Sequence, residues 1–304
     1  MQAVIESLAY SLGESEHAYS EVVNFQEFLK ANGYPDKPEL FGWGKYRKTA
    51  ADIFDLGIAS ARKTLASSGL SPADIDFVYF CSTCFPGDEI EHIKFNVKLL
   101  KELQLTNTFP VGFTLNNCAS FLSAIVMAVN MVRTGAYKNI LIITADKVYD
   151  ENIRFNNFAL LSDAAASCIV TSRNVAGYEL VADRFRASED PIHSNRGKDD
   201  SALYARVLRE IIDQAGVKVG QVRKVFCSNI FRSITQLKEM KLGFSKGQLF
   251  LDNVPKYGHC FSADTFINLI DYSSGNPASD SDLYMVSVDA PNLRASVLLR
   301  RTGG

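Results

Sequence analysis

One order of elements occurs twice along this chain, and that repetition limits its fold more than any other feature. SALYARVLREIIDQAG at 201–216 has helical apolar spacing and stops on Gly216; nine residues later Val225 opens the apolar run VFCS. In the first half, DIFDLGIASARKTLAS at 52–67 puts Ile53, Leu56, Ala59 and Leu65 on one helical face and Gly69 stops it. Val78, again nine residues on, lies in the run DFVYFCS. A helical period that gives way, past a glycine, to an unbroken apolar run predicts a helix followed by a strand covered on both faces. Further along, LFLDNVPKYGHCFSADTFINLI at 249–270 reads strand, turn, helix, as does FPVGFTLNNCASFLSAIVMAV at 109–129. The first half also predicts a helix over 91–103, strands over 111–115 and 139–144, and a long apolar helix over 119–134. Strands alternating with helices predict an α/β fold with mostly parallel strands. The repetition predicts two similar halves, 1–170 and 171–304, with Cys118 and His259 on comparable strand-to-helix turns. Two separate domains are the alternative, though no Pro/Ser-rich linker lies between 165 and 200.

Composition narrows the class. At 304 residues the chain exceeds the roughly 250–300 residues at which single cores stop growing, which suits a duplicated unit. Charged residues make up 22% and apolar ones 47%, as in ordinary globular proteins, and a net charge of −2 gives no reason to expect a nucleic-acid partner. The N-terminal MQAVIESLAYSLGESEHAY lacks the basic lead and apolar core of a signal peptide. No run approaches the ~18 apolar residues of a membrane span, so a cytoplasmic protein without a membrane partner is expected. The six cysteines lie mostly in apolar runs, as expected of reduced, buried thiols. Cys81 and Cys84 form a CxxC, but no second pair with ligand spacing follows and only four histidines exist, so no metal site is expected.

Cys118 falls where a strand ends and a very apolar helix begins. Unpaired N–H groups of a first helical turn favour a thiolate, which makes Cys118 the best nucleophile candidate. A packed core cysteine is the competing reading, and it suits Cys168 and Cys227 better. His259 follows Gly258 in YGHCFSAD, and Asp264 lies five residues on, in the next helix. A carboxylate there can hold one ring nitrogen while the other faces a pocket, the outline of a Cys-His-Asp relay if the halves fold together. Equally, Asp264 can complement the helix N-terminus and His259 cap the turn.

NNCASFLSAIVMAV, KYGHCFSADTFINLI, LLSDAAASCIV and STCFPG together resemble the ketoacyl synthase III, FabH-like, branch of the thiolase superfamily, over nearly the whole chain from residue 52 to the closing RASVLLRR. SDAAAS is similar to the family's GDGAGA segment. The resemblance implies the thiolase fold, a duplicated five-layer αβαβα architecture, and an acyl group carried as a thioester on Cys118. It also implies a homodimer, for which pairing is expected through the strand near Ile140. No permanently bound cofactor is expected; acyl-CoA or a phosphopantetheine-borne acyl group is the substrate. By the same analogy Trp43, Lys45 and Arg47 are candidates for meeting a CoA nucleotide or carrier phosphopantetheine, with a surface turn as the alternative. Phe85 resembles the aromatic that floors the partner's acyl pocket, and His193 is a candidate second proton carrier at the pocket mouth.

The departures from the family's pattern shape the functional expectation. Members that condense with decarboxylation carry a His in a PHQAN-like segment and an Asn in a GNTSAA-like segment. Here VFCSNIFRSI has Ser228 in place of that His, and YGHCFSAD has His259 in place of that Asn. The groups that stabilise an enolate are thereby lost or moved. The chain resembles more closely a natural-product branch with Cys, His and Asp spaced as here, which transfers an acyl group from CoA or acyl carrier protein to a hydroxyl or amine. A condensing enzyme with an unusual site and a non-catalytic partner subunit are the alternatives. The Gly-rich loop that supplies an oxyanion N–H in the family reads VDAPNLRAS. Pro291 has no N–H to give, which leaves the Cys118 N–H with Ala290 or Asn292.

Overall fold

The computed structural model of the chain describes residues 1–156, 159–188, 201–276, 279–290 and 293–303. In chain order the first half contains β1 (Val4–Leu12), β2 (Ser15–Ala18), α1 (Phe25–Asn32), α2 (Pro38–Phe41), β3 (Lys45–Lys48), α3 (Ile53–Ser68), β4 (Phe77–Cys81), α4 (Glu89–Glu102), β5 (Pro110–Phe113), α5 (Ser120–Arg133), β6 (Asn139–Asp146), β7 (Phe155–Asn156), β8 (Ala159–Leu160) and β9 (Ala164–Thr171). The second contains β10 (Gly177–Ala187), α6 (Ser201–Ala215), β11 (Val222–Cys227), α7 (Arg232–Lys241), β12 (Leu249–Phe250), α8 (Val254–Tyr257), α9 (Asp264–Gly275), β13 (Leu283–Ala290) and β14 (Leu293–Thr302). Local chemistry sets several boundaries. The Asp52 carboxylate accepts from the Asp55 N–H at 2.7 Å to open α3, and Gly69, at φ 67°, ends it. Asp88 and Glu91 form a reciprocal capping box on α4.

Among the described residues ten strands form one sheet in the order β12-β11-β13-β14-β10-β1-β9-β6-β4-β5. From the centre outward, β1, β9, β6, β4, β5 and β10, β14, β13, β11, β12 follow one pattern. In each run the outer three strands are parallel and the inner two antiparallel. The runs join where Val4 and Ile5 of β1 pair with Glu179 and Tyr178 of β10. Strand alternation sorts the side chains into layers. Val78, Phe80, Leu141 and Ile143 face α3 and α4. Phe77, Tyr79, Ile140 and Ile142 face α5 and α9, as do Tyr284, Val286, Ala295 and Val297 from the other run. Val225, Met285 and Leu298 face α6. The five layers are therefore helices, strands, the central pair α5 and α9, strands, helices, with Val78 and Val225 in matching outward positions. No helix among the described residues is long and apolar enough to cross a membrane.

Pairing of two chains through the strand near Ile140 is ruled out by that strand's position inside the sheet. The strand containing Ile140, β6, pairs with β4 on one side and β9 on the other, so its backbone groups are already used and it has no edge to offer a second chain. Among the described residues the outer strands of this sheet are β5 and β12. Exposed apolar residues gather around β5: Phe109 and Leu115 at its two ends, Ile90, Ile93 and Val97 along α4, and Met127 on α5.

Candidate active site

The two central helices start with the same local device. Before α5, Asn117 takes φ 48° and a 3-10 turn, Asn117–Ala119, leads into Ser120; before α9, Phe261 takes φ 52° and the turn Phe261–Ala263 leads into Asp264. This register equates Cys118 with Ser262, three residues beyond His259. The two turns touch, and Ser262 Oγ donates to the Asn117 carbonyl at 3.0 Å. Gly258 precedes His259 at φ 66°, and a Cβ there would fall 2.3 Å from the Leu160 carbonyl oxygen, a conformation and an approach that require glycine. His259 is then clipped to the LLSDAAAS segment: its N–H donates to Leu160 O at 2.7 Å, and its carbonyl accepts from Ser162 N at 2.9 Å.

These constraints bring Cys118, His259 and Asp264 into line. Cys118 Sγ lies 3.5 Å from His259 Nε2, and His259 Nδ1 hydrogen-bonds Asp264 Oδ2. Because an ionised carboxylate only accepts, Asp264 fixes the proton on Nδ1 and turns Nε2 to the sulfur. The acid is itself held: Oδ2 also accepts from Asn229 N at 2.7 Å, and Oδ1 from Cys260 N at 2.6 Å. All three side chains are buried, Cys118 being 9% and His259 6% exposed. Burial alone would lower the imidazole's pKa, but the Asp264 carboxylate and the Cys118 sulfur outweigh it and hold His259 well above the ordinary histidine range. His259 Nε2 is thus placed to exchange a proton with the Cys118 sulfur. Asn229 enters through its main-chain N–H, which no residue pattern signals.

The remaining candidates are placed differently. Ser228, at the end of β11, is buried, and its hydroxyl has no partner among the described residues. Trp43 is 4% exposed and stacks on Phe41 with centroids 4.0 Å apart, inside an aromatic cluster with Phe25, Phe28 and Phe155. Its indole therefore belongs to the core and not to a nucleotide-binding rim. Lys45 and Arg47 both pair with Glu16. Phe85 packs in its own chain against Phe80 and His92. Ala290 packs on the core cluster that holds Cys118, whereas His193, Pro291 and Asn292 lie outside the described residues.

A second buried acid stands beneath the turns. Asp146, at the end of β6, accepts at Oδ1 from Thr83 N (2.6 Å), Thr83 Oγ1 (2.7 Å) and Ser82 Oγ (3.1 Å). Burial nevertheless pushes its pKa from 3.8 up to about 6. With the folded value above the unfolded one, Asp146 stabilises the fold below pH 3.8, and this contribution is lost as pH rises through 6. Asp146→Asn should not undergo that loss, so its stability relative to the wild type should improve by about 2 kcal/mol between pH 4 and 7. Denaturant unfolding across that range checks this, and a pH-independent difference would contradict it.

Comparison with known proteins adds the family. The profile described as 3-Oxoacyl-[acyl-carrier-protein (ACP)] synthase III matches residues 114–188, the stretch that contains Cys118. The chain is 24% identical over 275 residues to beta-ketoacyl-[acyl-carrier-protein] synthase III of Aquifex aeolicus, covering 84% of this chain and 87% of that protein. To the synthase III of Trichormus variabilis it is 34% identical over 244 residues, 69% of this chain and 72% of the relative. The chain belongs to the beta-ketoacyl-ACP synthase III family. Its fold is that of solved synthase III proteins: the Aquifex aeolicus structure superposes with a TM-score of 0.80 at 20% identity, covering 98% of this chain and 99% of that one. The acyltransferase ChlB3 superposes at 0.84 with 16% identity, covering 100% and 98%. As a synthase III family member the chain has the thiolase fold, with the Cys-His-Asp line where its two halves meet.

Proposed function

We propose that this synthase III family protein is an acyltransferase of specialised-metabolite biosynthesis, moving an acyl group from CoA or acyl carrier protein through a Cys118 thioester to a hydroxyl or amine acceptor. The observation that carries the reading is the unbroken line from Cys118 Sγ through both His259 nitrogens to Asp264. In loading, the thiolate attacks the donor's thioester carbon, a new C–S bond forms, the old one breaks, and the leaving thiolate takes a proton from His259 Nε2. Acylation removes the sulfur's negative charge, one of the two causes that raise the imidazole's pKa. Neutral His259 is then the base that takes the acceptor's proton as its oxygen or nitrogen attacks the acyl carbon. Cys118 leaves as a thiolate and the ion pair is restored. A thioester is already activated, so positioning, proton transfer and oxyanion stabilisation suffice without a resident cofactor.

Mass measurement of the intact chain after exposure to acyl-CoAs and acyl carriers tests loading, and release of the group to alcohol and amine panels tests transfer. Carbon dioxide release coupled to product from a malonyl thioester would instead support condensation, and absence of any acyl-Cys118 would favour a non-catalytic subunit.

We further propose a homodimer across β5, where the free strand edge and the exposed Phe109 and Leu115 coincide. Sedimentation should give twice the mass of one chain, and the Phe109→Asp/Leu115→Asp protein the mass of one. A monomeric wild type, or a variant that remains dimeric, would reject this arrangement.

A further inference from the structure

Arg294, the second residue of β14, lies on the face turned away from Cys118, is buried, and holds two carboxylates. Its Nη1 donates to Asp289 Oδ1 and its Nη2 to Glu239 Oε1, each at 2.6 Å. Its guanidinium lies 4.8 Å from the centroid of the Tyr204 ring. Asp289 stands opposite Arg294 across the β13–β14 pair, Glu239 belongs to α7, and Tyr204 to α6. One cation thus ties the end of a strand pair to two outer helices. On its other face, the same end packs Ala290 and Leu293 onto the core cluster that contains Cys118, and β13 runs against the turn Asn117–Ala119.

A buried ion pair is a weak source of stability, since desolvating the charges offsets most of their attraction, and apolar replacements of similar volume are often neutral or better. What a two-pronged guanidinium does supply is fixed geometry. We propose that Arg294 is a positioning residue for acyl loading: it clamps the β13–β14 end to α7, so that the inner edge of that strand pair stays set against the Cys118 turn. The inference rests on the reading that Cys118 takes an acyl group.

Its test follows loading of Cys118 by acetyl-CoA and octanoyl-CoA, obtaining the maximal rate and the half-saturating concentration separately. Asp289→Asn removes charge from one arm and leaves the Arg294–Glu239 pair in place. Its maximal loading rate should fall about tenfold with half-saturation unchanged, because small misplacements near a reacting atom act on rate. The double variant Arg294→Met/Glu239→Leu should fold and melt near the wild type, yet load up to about a hundredfold more slowly. Arg294→Lys, which keeps the charge without the fork, should lie between. Wild-type rates in Asp289→Asn and in the folded double variant, or a defect confined to half-saturation, would overturn the clamp alone; if the double variant does not fold, Asp289→Asn decides. A wild-type protein that takes up no acyl group would overturn the loading reading and the clamp with it.

Discussion

The Cys118→Ala protein should gain no mass from any acyl-CoA or acyl carrier, while Cys168→Ala, Cys227→Ala and Cys84→Ala load as the wild type does. The expected loss of loading is about a thousandfold or more, as when a catalytic nucleophile is removed from a working relay. The contrast follows from surroundings. Burial pushes the thiols of Cys168, Cys227, Cys81 and Cys260 up, which keeps them neutral and poorly nucleophilic. Cys84 is exposed but has no imidazole bonded to its sulfur among the described residues. Among the described residues, only Cys118 has His259 Nε2 against its sulfur. Equal acylation of the Cys118→Ala chain would reject the proposed chemistry.

His259→Ala should separate the two half-reactions. Loading needs a thiolate and an already activated thioester, so acyl-Cys118 should still accumulate, more slowly because the imidazole beside the sulfur is gone. Transfer needs a base for the acceptor's proton, and its rate should fall about 100- to 10,000-fold, the usual worth of a positioned base. Asp264→Asn should show a milder form of the same defect. Its neutral amide can place an N–H against Nδ1 and favour the tautomer whose proton points at the sulfur. It also removes the larger of the two charges that raise the imidazole's pKa. A single-turnover assay that scores loading and release separately decides the point. Undiminished transfer in His259→Ala, or a larger defect in Ser228→Ala than in Asp264→Asn, would show that the base lies elsewhere.

The chemistry of the site was more legible in the residues than its construction. A cysteine before an apolar helix and a histidine five residues ahead of an aspartate carry their reactivity in their types and spacing, and the spacing puts the ring within reach of the acid on the next turn. The 141-residue separation of Cys118 and His259 carries no such information. Their approach depends on β1 pairing with β10, which joins the two runs of strands, and on α5 and α9 sharing one layer. The burial of Trp43 likewise depends on segments outside its own turn. Trp43 in FGWGKYRK looks like a surface group beside basic residues, but α1 and Phe155 close over it from distant stretches of chain.

By itself the sequence determined the alternation of helices and buried strands, their repetition, and the glycine and aspartate stops and caps that bound them. These features arise from side-chain periodicity and backbone preference within a few residues of each position. The tertiary structure alone decided which strand lies at an edge, and so that β6 is internal and β5 free. It alone also decided which turn residue matches Cys118, which main-chain N–H groups hold Asp264, and where Arg294 finds its carboxylates. Those outcomes depend on pairings between segments far apart in the chain, whose geometry is fixed only when both halves close around the same two helices.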